Sequence, residues 1–141
     1  RGLLSLLRAA EKPSIQSAGQ IAFDYFHMLF RDKITDLVTA FPEDSRVIDN
    51  ETKQDKGAFW SGHKRFPKAA AFDASNETHW TFLVDTTALF AAMLGAVPQK
   101  KEGDDDYLKE WRNQAWAANL AKDLKVLEYV AGAVNTEGDA A

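Results

Sequence analysis

The stretch GAFWSGHKRFPKAAAFD, residues 57–73, decides how the rest of the chain is read. It holds four large rings, Phe59, Trp60, Phe66 and Phe72, around the basic run His63–Lys64–Arg65. Gly57, Gly62 and Pro67 break any regular helix through it. Aromatic side chains bring large buried area and can hold a segment in place without a backbone hydrogen-bond ladder. The stretch is therefore expected to be a loop pinned to the core by Phe59, Trp60 and Phe72. Lys64 and Arg65 then stay in solvent as candidate docking residues for an acidic neighbour. Full burial of Trp60 would make Trp60→Ala cost about 3–5 kcal/mol.

Working outward, both flanks read as helical. Upstream, LLSLLRAAE (3–11) is a short helix ended by Lys12–Pro13, because the residue before proline is pushed out of the helical region. Ser14 is placed to cap a second helix running from Ile15 to about Phe41, with Pro42 at its end. Ile15, Ala18, Ala22, Tyr25, Leu29, Ile34, Leu37 and Phe41 carry its period. Downstream, Ser75 or Asn76 caps a third helix, whose stripe is Trp80, Leu83, Val84, Thr87, Phe90 and Leu94 and whose stop is Gly95 and Pro98. After the charged loop QKKEGDDD, a last helix is expected from about Asp105 to Val134 on Leu108, Trp111, Ala115, Ala118, Leu124, Leu127, Ala131 and Val134. Residues 42–75 hold no sustained period, Asp44–Lys56 reads as polar surface loop, and no strand is expected. The predicted fold is all-α: about four helices with one long structured loop at 42–75, a single helical domain over 1–134 and a frayed tail at 135–141.

The chain's 141 residues fit one domain and can bury roughly two thirds of the surface their unfolded form exposes. A net charge of −4 speaks against nucleic acid, whose binders show a strongly basic face. The longest apolar run, 87–98, is shorter than the roughly 20 residues of a membrane span. There is no cysteine, hence no disulfide, thiolate site or thiol nucleophile in these residues. The chain begins at Arg1 and reads as a piece of something longer.

Few residues point to chemistry. His27 lies beside Asp24 at helical spacing, and the expected role is a partly buried, hydrogen-bonded structural histidine. His79, in a first helical turn, is expected at the surface. No metal site is expected, since no zinc-type histidine spacing occurs and no ligand set converges. Asp104–Asp105–Asp106 reads as an acidic cluster favoured by a helix N-terminus. No glycine pattern cradles a phosphate, and no serine–histidine–aspartate order suggests a nucleophile. On these grounds the chain is expected to be non-catalytic.

FWSGHKRFP (59–67) resembles the F-W-S-G-P-K-R-x-P signature of eukaryotic ubiquitin-activating enzymes. Phe72, Asp73, Asn76 and His79 resemble that family's F-D-x-x-N-x-x-H run, FLVDTTALFAAMLG its helix Y-V-x-A-A-A-N-L-F-A-x-x-Y-G, and DLVTAFPED its Q-L-L-x-x-F-P-x-D. The matches cover roughly residues 14–98, with His63 standing where the family has proline and a poor match beyond Pro98. The resemblance implies the second half of the catalytic cysteine domain, a largely helical part that lacks the nucleophile, which lies upstream. The family motif residues are then Phe59, Trp60, Ser61, Gly62, Pro67, Phe72, Asp73 and Asn76. It further implies a parent that adenylates ubiquitin with ATP and Mg²⁺ in another domain, carries it as a cysteine thioester and passes it to a conjugating enzyme. The partners are ubiquitin, conjugating enzymes and the parent's other domains, in cytoplasm and nucleus. No cofactor, nucleic acid or membrane is expected at this chain, which alone is inactive. Two alternatives stand: the same domain from an activating enzyme of a ubiquitin-like modifier, or a stand-alone helical interaction module using Trp111 and Trp116. The latter two are five apart and do not share one helix face.

Overall fold

A computed structural model describes residues 2–98, 102–103, 106, 109–112, 114 and 116–131. Their packing divides them into two compact units, one from Arg1–Phe26 and Phe72–Leu127, the other from His27–Ala71 and Glu128–Ala141. Helix dominates, with a two-stranded sheet as the only strand structure among the described residues.

In the first unit, α1 (Gly2–Glu11) stops before Pro13 and α2 (Ile15–His27) starts after Ser14. Ser14 and Ser17 cap each other: the Ser17 N–H donates to the Ser14 hydroxyl at 3.0 Å and the Ser14 N–H to the Ser17 hydroxyl at 3.1 Å. The Asn76 side chain accepts the His79 N–H at 3.2 Å to begin α4 (Glu77–Leu94). Gly95, at φ 75°, ends it with the paired bonds of a Schellman turn, Ala96 N–H to Ala91 and Gly95 N–H to Ala92. Leu83, Val84 and Thr87 of the expected stripe are buried, and Ala91, outside that stripe, is buried with them. Leu83 joins Ala22, Phe23 and Leu120 in the core, with Ile15, Phe72, Trp80, Phe90, Trp116 and Leu124 packed against it.

The expected long last helix is not formed. Instead α5 (Lys109–Arg112) and α6 (Ala117–Leu120) are short, a 3₁₀ turn covers Ala121–Asp123, and residues 124–130 are non-helical. Gln114, at φ 53°, stands in the left-handed region between the two helices and cannot continue either. Further on, the Gln20 carboxamide bonds both backbone groups of Lys125, accepting its N–H at 3.0 Å and donating to its carbonyl at 2.9 Å. A tertiary partner thus replaces the helical ladder. Asp104, Asp105, Leu108, Ala115, Val134 and the tail 135–141 lie outside the described residues.

In the second unit, the helix expected to run unbroken to Phe41 passes through a π-helical turn, Met28–Asp32, before α3 (Lys33–Ala40). Widening a helix by one residue frees backbone groups from its ladder. The Phe30 carbonyl accepts the Ala70 N–H at 2.7 Å, which ties the far end of the loop to the turn. Phe41, before Pro42, is extended at φ −129° and ψ 80°.

Within the stretch expected to be a bare loop, β1 (Arg46–Ile48) pairs antiparallel with β2 (Asp55–Ala58). Arg46 faces Ala58 and Ile48 faces Asp55, so β2 carries one extra residue, and Gly57 at φ 110° lies in that bulge. The turn closes on Asp49, whose carboxylate accepts the Glu51 and Thr52 N–H groups at 2.9 and 2.8 Å. Arg46 pairs with Asp55 at 3.1 Å across the strands. Nearly every side chain here is exposed, so no apolar alternation marks the strands in the sequence.

Candidate functional site

The Phe59–Pro67 segment is held by a column of rings. Phe59 stacks on Phe41 at 4.4 Å between centroids, Trp60 meets Phe59 edge-on at 4.9 Å, and Phe66 meets Trp60 edge-on at 5.5 Å. These are favoured geometries for aromatic quadrupoles. The Trp60 indole N–H donates to the Phe41 carbonyl at 2.8 Å, and the Phe59 N–H to Ser45 at 2.8 Å. Phe41 closes α3, so the column rests on a helix end. Phe59, Trp60, Phe66 and Pro67 are half-buried. Phe59 and Trp60 therefore pin the loop through a local stack, with Phe41 as its base, and Trp60 is not fully buried as the larger mutational cost assumed.

At the tip, Ser61–Lys64 is a tight turn closed by the Lys64 N–H and the Ser61 carbonyl at 3.1 Å. Gly62 has φ 61° and His63 does not have a positive φ, the pattern of a type II′ turn, in which glycine suits the first central position. The Ser61 hydroxyl donates to the Ala58 carbonyl at 3.0 Å. The two basic residues then differ. The Lys64 ammonium sits 4.8 Å from the Phe59 ring centre, a cation–π contact, so it is not the free charge the sequence suggested. Arg65 is exposed, and among the described residues no carboxylate is within ion-pair distance of it.

Phe72, Asp73, Asn76 and His79 form a second knot, in the other unit. Phe72 meets Phe23 at 5.2 Å and Phe26 at 5.4 Å, both edge-on, and is the ring of the opening stretch that reaches the main core of its unit. The exposed Asp73 carboxylate accepts the Ser75 hydroxyl at 2.6 Å and the Ser75 N–H at 2.9 Å. Those two donors, the hydroxyl first, hold its pKa below the ordinary 3.8. His79 differs from expectation. It is half-buried, its ring 4.8 Å from Phe26, and its Nδ1 accepts the Asp73 N–H at 3.1 Å. The six-residue interval from Asp73, across a capping Asn76, is the signal that could have placed it.

His27 is buried, and Asp24 accepts from the Gln20 amide at 2.8 Å. Among the described residues no three histidine, aspartate or glutamate side chains are grouped to hold a metal ion, and none of their helices is long and apolar enough to cross a membrane. Trp111 and Trp116, too far apart in register for one helix face, stack at 5.6 Å because the backbone turns between them. With Pro13–Ile15 and Gly95–Pro98 they line an open cleft of about 700 Å³.

The family model of the ubiquitin-activating enzyme SCCH domain matches residues 1–138. The chain belongs to this family. The SCCH domain is also similar to "Ubiquitin-activating enzyme E1 1" of Schizosaccharomyces pombe, at 34% identity over 76 residues, which are 54% of this chain and 7% of that protein. The protein of the same name from Candida albicans is 35% identical over 80 residues, 57% of this chain and 7% of its own length. The domain thus spans a small part of the curated relatives it matches. Within it, the resemblance seen in the sequence covers the end of α3, the ring column with the turn at its tip, and α4 with its cap. No cysteine occurs in the sequence, so these residues supply no thiol for a thioester.

Proposed function

We propose that this SCCH domain is a structural part of the catalytic cysteine domain of a ubiquitin-activating enzyme. The parent adenylates ubiquitin with ATP and Mg²⁺ in a separate domain, carries it as a cysteine thioester and passes it to conjugating enzymes, in cytoplasm and nucleus. This piece supplies no reacting group. It forms one domain of the parent and braces the polypeptide around the thioester-forming part. The motif residues Phe59, Trp60, Ser61, Gly62, Pro67, Phe72, Asp73 and Asn76 act as anchors and turn-formers. The observation that carries the reading is that the family's motif residues converge on two packing knots rather than on a reactive cluster. Ubiquitin is favoured over a ubiquitin-like modifier because both curated relatives described above are named for ubiquitin activation.

The test separates chemistry from support. The 141-residue chain, mixed with ubiquitin, ATP and Mg²⁺, is expected to form no reductant-sensitive ubiquitin adduct. In the full-length parent, Phe72→Ala is expected to leave ubiquitin-dependent ATP–pyrophosphate exchange intact and to lower thioester formation or transfer. Loss of the exchange step itself, in a parent that remains folded, would place this segment in the adenylation chemistry and overturn the reading.

A further inference from the structure

The ring column ends in a patch that the supporting role does not use. Lys64, Arg65 and Lys68 lie within five residues on a chain of net charge −4. All three are exposed, and none has a carboxylate within ion-pair distance among the described residues. Lys64 is engaged by the Phe59 ring, which leaves Arg65 and Lys68 as the uncommitted cations. Beside them Trp60, Phe66 and Pro67 are only half-buried, so ring edges remain accessible next to the charge. The turn at Gly62 and the stack on Phe41 order the backbone and rings beside these cations.

We infer that Arg65 and Lys68, flanked by Trp60 and Phe66, form a docking site for a carboxylate-rich polypeptide segment. Arginine binds a carboxylate through two parallel N–H bonds, and tryptophan and arginine are the side chains that most often dominate protein–protein contacts. A nucleic acid fits less well. Its binders commonly neutralise about 6–10 phosphates, whereas this patch offers two free cations on an acidic chain. The inference concerns the isolated chain and goes beyond its place in any parent enzyme.

The experiment follows the backbone amides of the ¹⁵N-labelled chain while a capped polyglutamate peptide is added at low salt. Shifts are expected to concentrate between Gly62 and Lys68 and to fade as salt approaches about 0.15 M. The double variant Arg65→Glu/Lys68→Glu is expected to weaken binding roughly tenfold, two exposed ion pairs being replaced by repulsion. The control Lys12→Glu/Lys33→Glu, which makes the same change in net charge, is expected to bind as the parent chain does. The site is refuted if shifts spread over the whole surface, or if the two double variants bind alike. Tighter binding of a single-stranded RNA oligonucleotide through the same amides would refute the polypeptide assignment.

Discussion

Trp60 combines the two kinds of contact that hold the opening stretch. Its ring stands edge-on between Phe59 and Phe66, and its N–H reaches the Phe41 carbonyl at 2.8 Å. Because it is half-buried, Trp60→Ala is expected to cost about 1–3 kcal/mol, below the range for a fully buried ring. Trp60→Phe keeps the ring column and loses one hydrogen bond, so about 0.5–1.5 kcal/mol is expected. Urea unfolding of both variants checks the order. Asp73 acts through charge. Its folded pKa lies below 3.8 because the Ser75 hydroxyl and N–H favour the carboxylate, so its contribution is complete above the ordinary aspartate value and is lost as pH falls through the folded one. Asp49 and Asp55 are lowered in the same way by backbone N–H bonds. Asp73→Asn is therefore expected to flatten the acid limb of stability in part, as urea midpoints taken below about pH 4 will show.

At the scale of elements, α2 and α6 approach closely at Gly19. A methyl group on Gly19 would stand 2.3 Å from Leu120 Cδ1, and Leu120 is 1% exposed. Gly19→Ala is expected to destabilise by about 1–2 kcal/mol, strain outweighing the gain in helix propensity. In a Leu120→Ala background the clash is gone, and the same substitution is expected to be neutral or stabilising. Chemical unfolding of the four proteins closes the cycle. The elements also differ in how far the sequence revealed them. Helix α4 was legible because its cap, stripe and glycine stop all agree. The hairpin was not, since its exposed strands carry no alternation and its turn depends on Asp49 side-chain bonds. The last segment misled because Trp111, Ala118, Leu124, Leu127 and Ala131 keep a near-helical spacing. Gln114 in the left-handed region and the Gln20–Lys125 bonds are tertiary facts that spacing does not contain. At the site, Phe59, Trp60 and Phe72 stood out in the sequence as large rings in a stretch without a helical period; Phe72 packs on the core, whereas Phe59 and Trp60 stack locally. Phe41 as the base of the Phe59–Trp60 stack, and His79 as an acceptor, were not legible, because both depend on partners far along the chain or across a turn.

For the molecule as a whole, the second unit is fastened at Tyr129, whose hydroxyl donates to Asp36 at 2.5 Å. That bond, with the carboxylate charge, pushes the phenol from 10.0 up to about 12. The stabilisation is present below the ordinary tyrosine value and is lost as pH rises through about 12. Phenolate absorbance is expected to show one late step that Tyr129→Phe removes. The central claim is that the motif residues of this SCCH domain give support and no chemistry. His79, the histidine of the Phe72–His79 run, tests it directly, because an imidazole can carry a proton. The decisive measurement is thioester formation per folded molecule, beside the melting curve, in the full-length enzyme carrying His79→Gln. A lowered melting temperature with full thioester yield in the folded fraction is predicted. An unchanged melting curve with the thioester lost would contradict it.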